Sequence, residues 1–195
     1  LGYAFYKQND YQQAINEFNK IIEGSNAIAQ NAYYHLAESY VNLNKKQEAL
    51  NAFRNASEMD FSPNIQEDAW LNYAKLSYDI GNPYQSTPEV LTEFLNLYPK
   101  SAFKIEVETL LIDSYISSNN FKEALELLEN KSRAAHKEAY QKVAFFRALE
   151  LYNKAKYSDA KELLSRSLST AINPVFKARA TYWKAETNYQ LSNFN

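Results

Sequence analysis

The chain has 195 residues, of which 46% are hydrophobic, 15% aromatic and 23% charged, and this apolar share excludes a disordered polar chain. The absence of cysteine excludes disulfides, thiolate catalysis, Fe–S clusters and cysteine-based zinc sites, and three glycines scattered over Gly2, Gly24 and Gly81 exclude a glycine-rich phosphate loop. The net charge of −2 sets up no bulk field for nucleic acid or an anionic membrane, although residues 1–100 carry net −5 and residues 101–195 net +3.

The predicted elements are helices, and they come in pairs. The first pair joins Gly2-Tyr-Ala-Phe-Tyr6 to Tyr11-Gln-Gln-Ala14-Ile-Asn-Glu-Phe18 through the polar turn Gln8-Asn9-Asp10. The second joins Ala37-Glu-Ser-Tyr40-Val41 to Lys46-Gln-Glu-Ala49-Leu-Asn-Ala-Phe53 across Asn44-Lys45. The third runs from Ala74-Lys-Leu-Ser-Tyr78 over Gly81-Asn82-Pro83 to Pro88-Glu-Val90-Leu-Thr-Glu-Phe94. Its connection is about four residues longer. Ser86 or Thr87 is expected to cap the next helix, with Pro88 at its first position and Glu89 in its first turn. This longer loop either presents Tyr84 to a partner or is a neutral insertion.

The fourth pair joins Ile112-Asp-Ser-Tyr115-Ile116 to Phe121-Lys-Glu-Ala124-Leu-Glu-Leu-Leu128 across Ser118-Asn119-Asn120. The fifth joins Ala148-Leu-Glu-Leu-Tyr152 to Tyr157-Ser-Asp-Ala160-Lys-Glu-Leu-Leu164 across Lys154-Ala155-Lys156. A sixth first word, Ala185-Glu-Thr-Asn-Tyr189, precedes Ser192-Asn193. The first residues of these words step by 35, 37, 38, 36 and 37. One step length in two concordant words defines a repeat array. Within the words, apolar residues fall at i, i+3, i+4 and i+7, as in Ala14/Phe18/Ile21/Ile22, which is the period of an amphipathic helix. Asn9, Asn44 and Asn119 are read as helix terminators, because Asn tolerates the left-handed backbone that ends a helix.

This pattern resembles the tetratricopeptide repeat family over essentially the whole chain. The segment Phe94-Leu-Asn-Leu-Tyr98-Pro99-Lys-Ser101 is further similar to repeats of bacterial envelope proteins. Examples are the periplasmic partner of the Tol–Pal system and the lipoprotein of the outer-membrane β-barrel assembly machine. The resemblance implies an all-α, right-handed α-solenoid of about five to six helix-turn-helix units with a concave groove. The expected repeats are 1–24, 29–60, 66–100, 102–131, 137–172 and an incomplete 174–195, in a single array. Gly2, Ala37, Ala74, Ala148 and Ala185 would let paired helices approach closely. Phe18, Phe53, Phe94, Leu128 and Leu164 would fill the space behind them. Val90 and Ile112 depart from the family's small residues. The chain opens on Leu1 in mid-element, which reads as a piece of a longer protein.

No convergent set of catalytic groups is visible. His35 and His136 lie a hundred residues apart and neither has metal-pair spacing; both are expected at the surface or at a cap. Glu67-Asp68 and Glu106/Glu108 are expected near helix starts. No cofactor is implied. Binding is the better reading. Carried over from the family, the groove wall is expected at Tyr6, Tyr34, Tyr78, Phe145, Tyr152, Tyr182 and Tyr189. Glu38, Asp68, Lys75, Asp79, Asp113, Lys142 and Arg179 fall around them. Tyr34 and Tyr182 are expected to be exposed, whereas Tyr6, Tyr78, Tyr152 and Tyr189 are expected to pack between helices rather than only line the groove. The places of the family's carboxylate clamp carry Tyr34, Glu38, Leu71 and Lys75, which cannot hold an acidic tail.

The expected function is a non-enzymatic scaffold for a protein or peptide, in a periplasmic or outer-membrane setting, with the cytoplasm as the other compartment. The competing reading is a carbohydrate or peptidoglycan module, which would cluster two or three exposed rings with Asp, Asn or Arg in one pocket. A peptide groove would instead spread single anchors over several repeats. No nucleic-acid partner and no membrane span are expected in this segment, and self-association through the end repeats at Leu1 and Phe194 is a further possibility.

Overall fold

Period-3.6 apolar patterning becomes helix throughout. The computed structural model describes residues 1–129, 134–170 and 172–191. Among these are eleven helices and no strand. They are α1 (Gly2–Lys7), α2 (Tyr11–Phe18), α3 (Ala27–Asn42), α4 (Lys46–Ser57), α5 (Pro63–Ile80) and α6 (Thr87–Leu97). Then follow α7 (Lys104–Ser117), α8 (Phe121–Leu127), α9 (Lys137–Asn153), α10 (Tyr157–Thr170) and α11 (Pro174–Gln190). No described helix is long and apolar enough to cross a membrane. The helices alternate as A (odd) and B (even) partners of successive hairpins, the arrangement of a helical-repeat solenoid.

Helix starts are written in the sequence. The Asn26 side chain accepts from the backbone N–H groups of Ile28 and Ala29, both at 2.9 Å, and Asn173 accepts from Val175 at 2.9 Å. Pro63 and Pro174 occupy first helical positions, where a missing N–H costs nothing. Ser86 caps α6, and Glu89 closes the box by accepting from the Ser86 backbone at 2.9 Å and its hydroxyl at 2.8 Å. The helix therefore begins at Thr87, with Pro88 second rather than first. Because Pro63 starts α5 ahead of the expected residue 66, Glu67 and Asp68 lie beyond the first turn, and Asp68 is free to act across the helix face.

The chain divides into two compact units, Leu1–Leu110 and Leu111–Asn195, with the boundary inside α7. In the first, Ala37 and Ala74 of the A helices and Ala14, Ala49 and Val90 of the B helices are completely buried. Phe18, Phe53 and Phe94 fill the space behind them. A methyl group added at Gly2 would lie 2.9 Å from the Phe18 ring, so the smallest residue stands where the ring comes closest. In the second unit the corresponding core is Ile112, Ala124, Ala148 and Ala160, backed by Leu128 and Leu164. Ala185 differs from its counterparts and is exposed. In the other hairpins a following B helix covers this position, and residues 192–195 lie outside the described ones. The expected turn Ser192-Asn193 and end residue Phe194 therefore also lie outside them, as do Ser132 and Arg133 of the link before α9.

Four of the hairpin turns share one backbone solution. Asn9, Asn44, Asn119 and Ala155 all have left-handed φ, between 55° and 62°. At Asn44, its N–H reaches the Val41 carbonyl at 2.9 Å and the Lys45 N–H reaches Tyr40 at 2.8 Å. The same pair of bonds closes the turns at Asn9, Asn119 and Ala155, satisfying carbonyls that the helix end would orphan. The terminator reading of the three asparagines holds. Ala155 is the unexpected member, because alanine has no side chain to offset a left-handed backbone. The long third turn is closed by side chains instead. Asn82 Nδ2 donates to the Tyr73 and Ser77 hydroxyls at 2.8 Å each, and Thr87 Oγ1 donates to the Ser77 carbonyl at 2.9 Å. Tyr84 is half exposed, but its hydroxyl donates to Asn51 at 3.0 Å and Arg54 stacks on its ring at 4.3 Å. The loop is thereby latched onto α4 rather than displayed.

Two buried glutamines do what the apolar pattern gave no hint of. Gln30 and Gln141 each sit seven residues before the small residue of an A helix and are fully buried. Gln30 donates to the carbonyls of Met59 (2.6 Å) and Ala56 (3.2 Å) and accepts from the Ser62 N–H at 2.7 Å. Gln141 donates to Asn173 O (3.1 Å) and accepts from Asn173 N (2.8 Å) and Ile172 N (3.1 Å). Each carboxamide clamps the loop that leads into the next A helix, supplying partners to backbone groups that burial would otherwise orphan.

Replacing Gln30 by Leu keeps the volume but leaves three backbone groups unpaired, and is expected to cost about 2–4 kcal/mol in denaturant unfolding. A loss below about 0.5 kcal/mol would mean that water replaces the amide. Ala155→Gly removes the left-handed penalty of about 1–2 kcal/mol but adds unfolded-state freedom, so a net gain of about 0.5–1 kcal/mol is expected, read as a raised thermal midpoint.

Candidate functional site

Helical spacing first decides which side chains share a face. On α3, Tyr34, Glu38 and Val41 stand at i, i+4 and i+7; on α5, Asp68, Asn72, Lys75 and Asp79 stand at i, i+4, i+7 and i+11. The two stripes meet where the Tyr34 hydroxyl donates to Asp68. Asn72 Nδ2 bonds the Asp68 carbonyl at 2.9 Å and its carboxylate at 3.3 Å. Glu38 accepts from His35 Nδ1 at 2.7 Å. Around His35 stand the rings of Tyr3 (5.1 Å), Tyr6 (5.2 Å), Tyr34 (5.4 Å) and Phe18 (5.9 Å). His35 is therefore neither a cap nor a surface residue; it is a half-buried member of an aromatic cluster. His136 does take the N-cap position of α9.

Farther along the same two stripes lies a cavity of about 360 Å³. Its apolar wall is Val41, Phe53, Leu76 and Leu110, and Tyr78 stands at its edge. Its ionic rim is Asn72, Lys75, Asp79 and Glu106. Both lysines near this rim are engaged: Lys75 with Glu106 at 2.6 Å and Lys46 with Asp79 at 2.5 Å. Glu38 and Asp68 have no Lys or Arg partner among the described residues. Residues 1–110 hold 8 Lys/Arg against 14 Asp/Glu, net −6, so the uncompensated carboxylates sit in a unit that is acidic as a whole.

The tyrosine hydroxyls report the same imbalance. Burial, then the neighbouring Glu38 carboxylate, pushes the Tyr6 pKa from 10.0 up to about 12. Tyr34 moves the same way, through burial first, then its bond to Asp68 and the nearby charge of Glu38. Both effects favour the neutral hydroxyl.

In the second unit the expected groove residues assemble less completely. The Tyr152 hydroxyl donates to Glu186 at 3.1 Å, and its ring meets Trp183 at 5.1 Å and Tyr157 at 5.2 Å. Tyr182 is 65% exposed, as expected, and Tyr189 is 64% exposed rather than packed between helices. Asp113 and Arg179 are exposed on α7 and α11. Phe145 is only 2% exposed, and this corrects its place on the groove wall: its ring packs on Phe146 (5.3 Å) and Phe176 (5.6 Å) within the core. Tyr34 is likewise corrected. It is half buried, because its hydroxyl is drawn onto Asp68 and its ring meets Phe53 at 5.8 Å. Tyr78 is 39% exposed at the cavity edge, while Tyr6 and Tyr152 are half buried.

The sequence reading named Lys75, Tyr78 and Asp79 but missed their neighbours Val41, Asn72, Leu76, Glu106 and Leu110. The i, i+4, i+7 stripe through Asp68 was a signal that could have found Asn72. Leu110 and Glu106 come from the next A helix, and no local pattern announces them.

Residues 1–64 match the sequence profile of the tetratricopeptide repeat family. No curated protein sequence matches the chain. Among solved structures, the fold is similar to YrrB, described as a tetratricopeptide repeat protein with an unusual peptide-binding site. The identity is 15% and the TM-score 0.51, over 93% of this chain and 88% of that one. It is also similar to MamA, at 16% identity and TM-score 0.52, over 87% of this chain and 94% of that one. A second MamA structure, AMB-1, gives 20% identity and TM-score 0.50, over 85% and 84%. At these identities the likeness concerns the fold.

A raised folded-state pKa means the folded chain keeps protons that the unfolded chain gives up. The associated stability is complete below about pH 10 and disappears as pH rises through about 12. The thermal midpoint is therefore expected to fall between these values, and the fall should be shallower in Tyr34→Phe. Near-ultraviolet titration should show part of the 16 tyrosines ionising only as the chain unfolds. If every tyrosine titrates freely while the helices remain intact, the hydroxyls are not held by these carboxylates.

Proposed function

We propose that the whole chain is a tetratricopeptide-repeat array and serves as a non-enzymatic scaffold that binds a protein or peptide along the A-helix face of its first unit. The observation that carries this reading is the open cavity between the α3 and α5 stripes, where apolar side chains lie within an ionic rim. Ligand sites combine these features, an apolar recess for affinity and a few polar groups for orientation. The profile match at residues 1–64 supports it, since that stretch contains α3 and α4. So does the peptide-binding description of YrrB, whose fold is similar.

The cavity offers one exposed ring, Tyr78, beside aliphatic and ionic neighbours. This favours dispersed peptide anchors over the clustered rings of a sugar site. The resemblance of Phe94-Leu-Asn-Leu-Tyr98-Pro99-Lys-Ser101 to envelope repeats supports a bacterial envelope as the setting, which fractionation of the source cells would test.

A photo-crosslinking phenylalanine analogue at position 78 is expected to capture a polypeptide from a lysate of the source organism, and the same analogue at the exposed Glu48 position of α4 is not. A product of twice the chain's mass would mark self-association instead. Capture of the same polypeptide at both positions, or at neither, would overturn the reading.

A further inference from the structure

The cavity and the unpaired carboxylates form one continuous surface. Asn72 lines the cavity and bonds Asp68; Phe53 lines it and meets Tyr34, which donates to Asp68. The apolar recess and the acidic cluster are thus joined through two shared side chains. On this surface the four carboxylates Glu38, Asp68, Asp79 and Glu106 face the ammonium groups of Lys46 and Lys75, and a third ammonium, Lys7, stands over the Tyr3 and Tyr6 rings at 5.1 and 5.8 Å. Lys46 and Lys75 are already paired at 2.5 and 2.6 Å with Asp79 and Glu106, and Lys7 is turned to the tyrosine rings. The excess negative charge therefore resides at Glu38 and Asp68, where tyrosine, histidine and asparagine supply hydrogen bonds but no fixed positive charge. A fixed cation brought there would complete the charge balance in a partly water-excluded place, where Coulomb attraction exceeds its value in bulk water.

We infer that the occupant of this surface is an extended peptide that seats an apolar side chain in the cavity and places an arginine or lysine on Glu38 and Asp68. This rests on the scaffold reading above and specifies its ligand. The geometry sets the spacing. From Asp68 to Leu76 is eight residues of α5, about 12 Å along its axis. An extended chain covers that in about four residues, and residues four apart project from the same side. The recognised pattern is a basic residue and an apolar residue separated by three others, in either chain direction. Arginine suits the place better than lysine, because its planar fork can bond two carboxylate oxygens at once. Acidic peptides are excluded by the same charges.

The test is affinity selection from a random twelve-residue peptide library on the immobilised chain, in parallel with Glu38→Gln/Asp68→Asn checked for unaltered helicity. The expected pool is enriched about fivefold in Arg or Lys four positions from Leu, Ile or Phe and depleted in Asp and Glu. The basic enrichment should vanish in the double variant while the apolar one persists. Raising salt during the wash should release the basic pool from the unaltered chain, a readout that needs no variant to fold. A retained pool without a basic preference, or with an acidic one, overturns this inference and leaves the scaffold reading standing. A library that leaves no retained pool overturns both.

Discussion

In all described hairpins but the fourth, where Ile112 takes the place, the two helices approach each other across side chains no larger than a methyl or isopropyl group. Gly2, Ala37, Ala74 and Ala148 on A helices and Ala14, Ala49, Val90 and Ala160 on B helices are all buried. Close approach leaves a single hairpin with a wide apolar flank that only another element can cover. Phe18, Phe53, Phe94, Leu128 and Leu164 occupy that flank, and each is buried. The repeat step of 35 to 38 residues follows from this constraint, since each unit must deliver one small seam and one large filler before the chain turns back.

Polar groups then determine how the seams are joined. Within hairpins, one left-handed residue closes the turn by two backbone bonds, and Asn or even Ala takes the place that glycine usually fills. Between hairpins, Gln30 and Gln141 clamp the incoming loop with a carboxamide at equivalent places in two repeats. A carboxamide suits this task because one side chain donates and accepts at once. The third hairpin departs from the rule: its insertion is closed by Asn82, Tyr73, Ser77 and Thr87 and latched to α4 by Tyr84. A loop that reads as a candidate docking feature is therefore largely committed to its own fold.

The face left over by this packing is where function has room to act. In the first unit, A-helix residues too polar for the seam line up at i, i+4 and i+7, and the stripes of α3 and α5 meet at the Tyr34–Asp68 bond. Tyrosine has two roles here. Tyr73 and Tyr140 fill core positions, whereas Tyr6 and Tyr34 turn their hydroxyls to carboxylates. Charge follows the structural division as well, with net −6 in residues 1–110 and net +4 in residues 111–195. The drift in charge along the chain thus coincides with two units of opposite sign.

The amino-acid sequence by itself determined that the chain is helical, that its helices pair, where the pairs turn and which small and large residues alternate in the core. These are local properties, carried by a 3.6-residue period, by caps such as Asn26 and Ser86, and by Asn in left-handed turns. It also named Lys75, Tyr78 and Asp79 beside what proved to be the cavity. Only the tertiary structure decided that Phe145 belongs to the core, that Tyr34 turns inward, that Tyr189 stays out, and that Gln30 and Gln141 are buried. It alone brought Leu110 and Glu106 of α7 to the cavity shared by α3 and α5. The physical reason is separation along the chain. A hydrogen bond such as Tyr34 to Asp68 spans 34 residues, so neither helix carries any record of the partner that fixes its side chain.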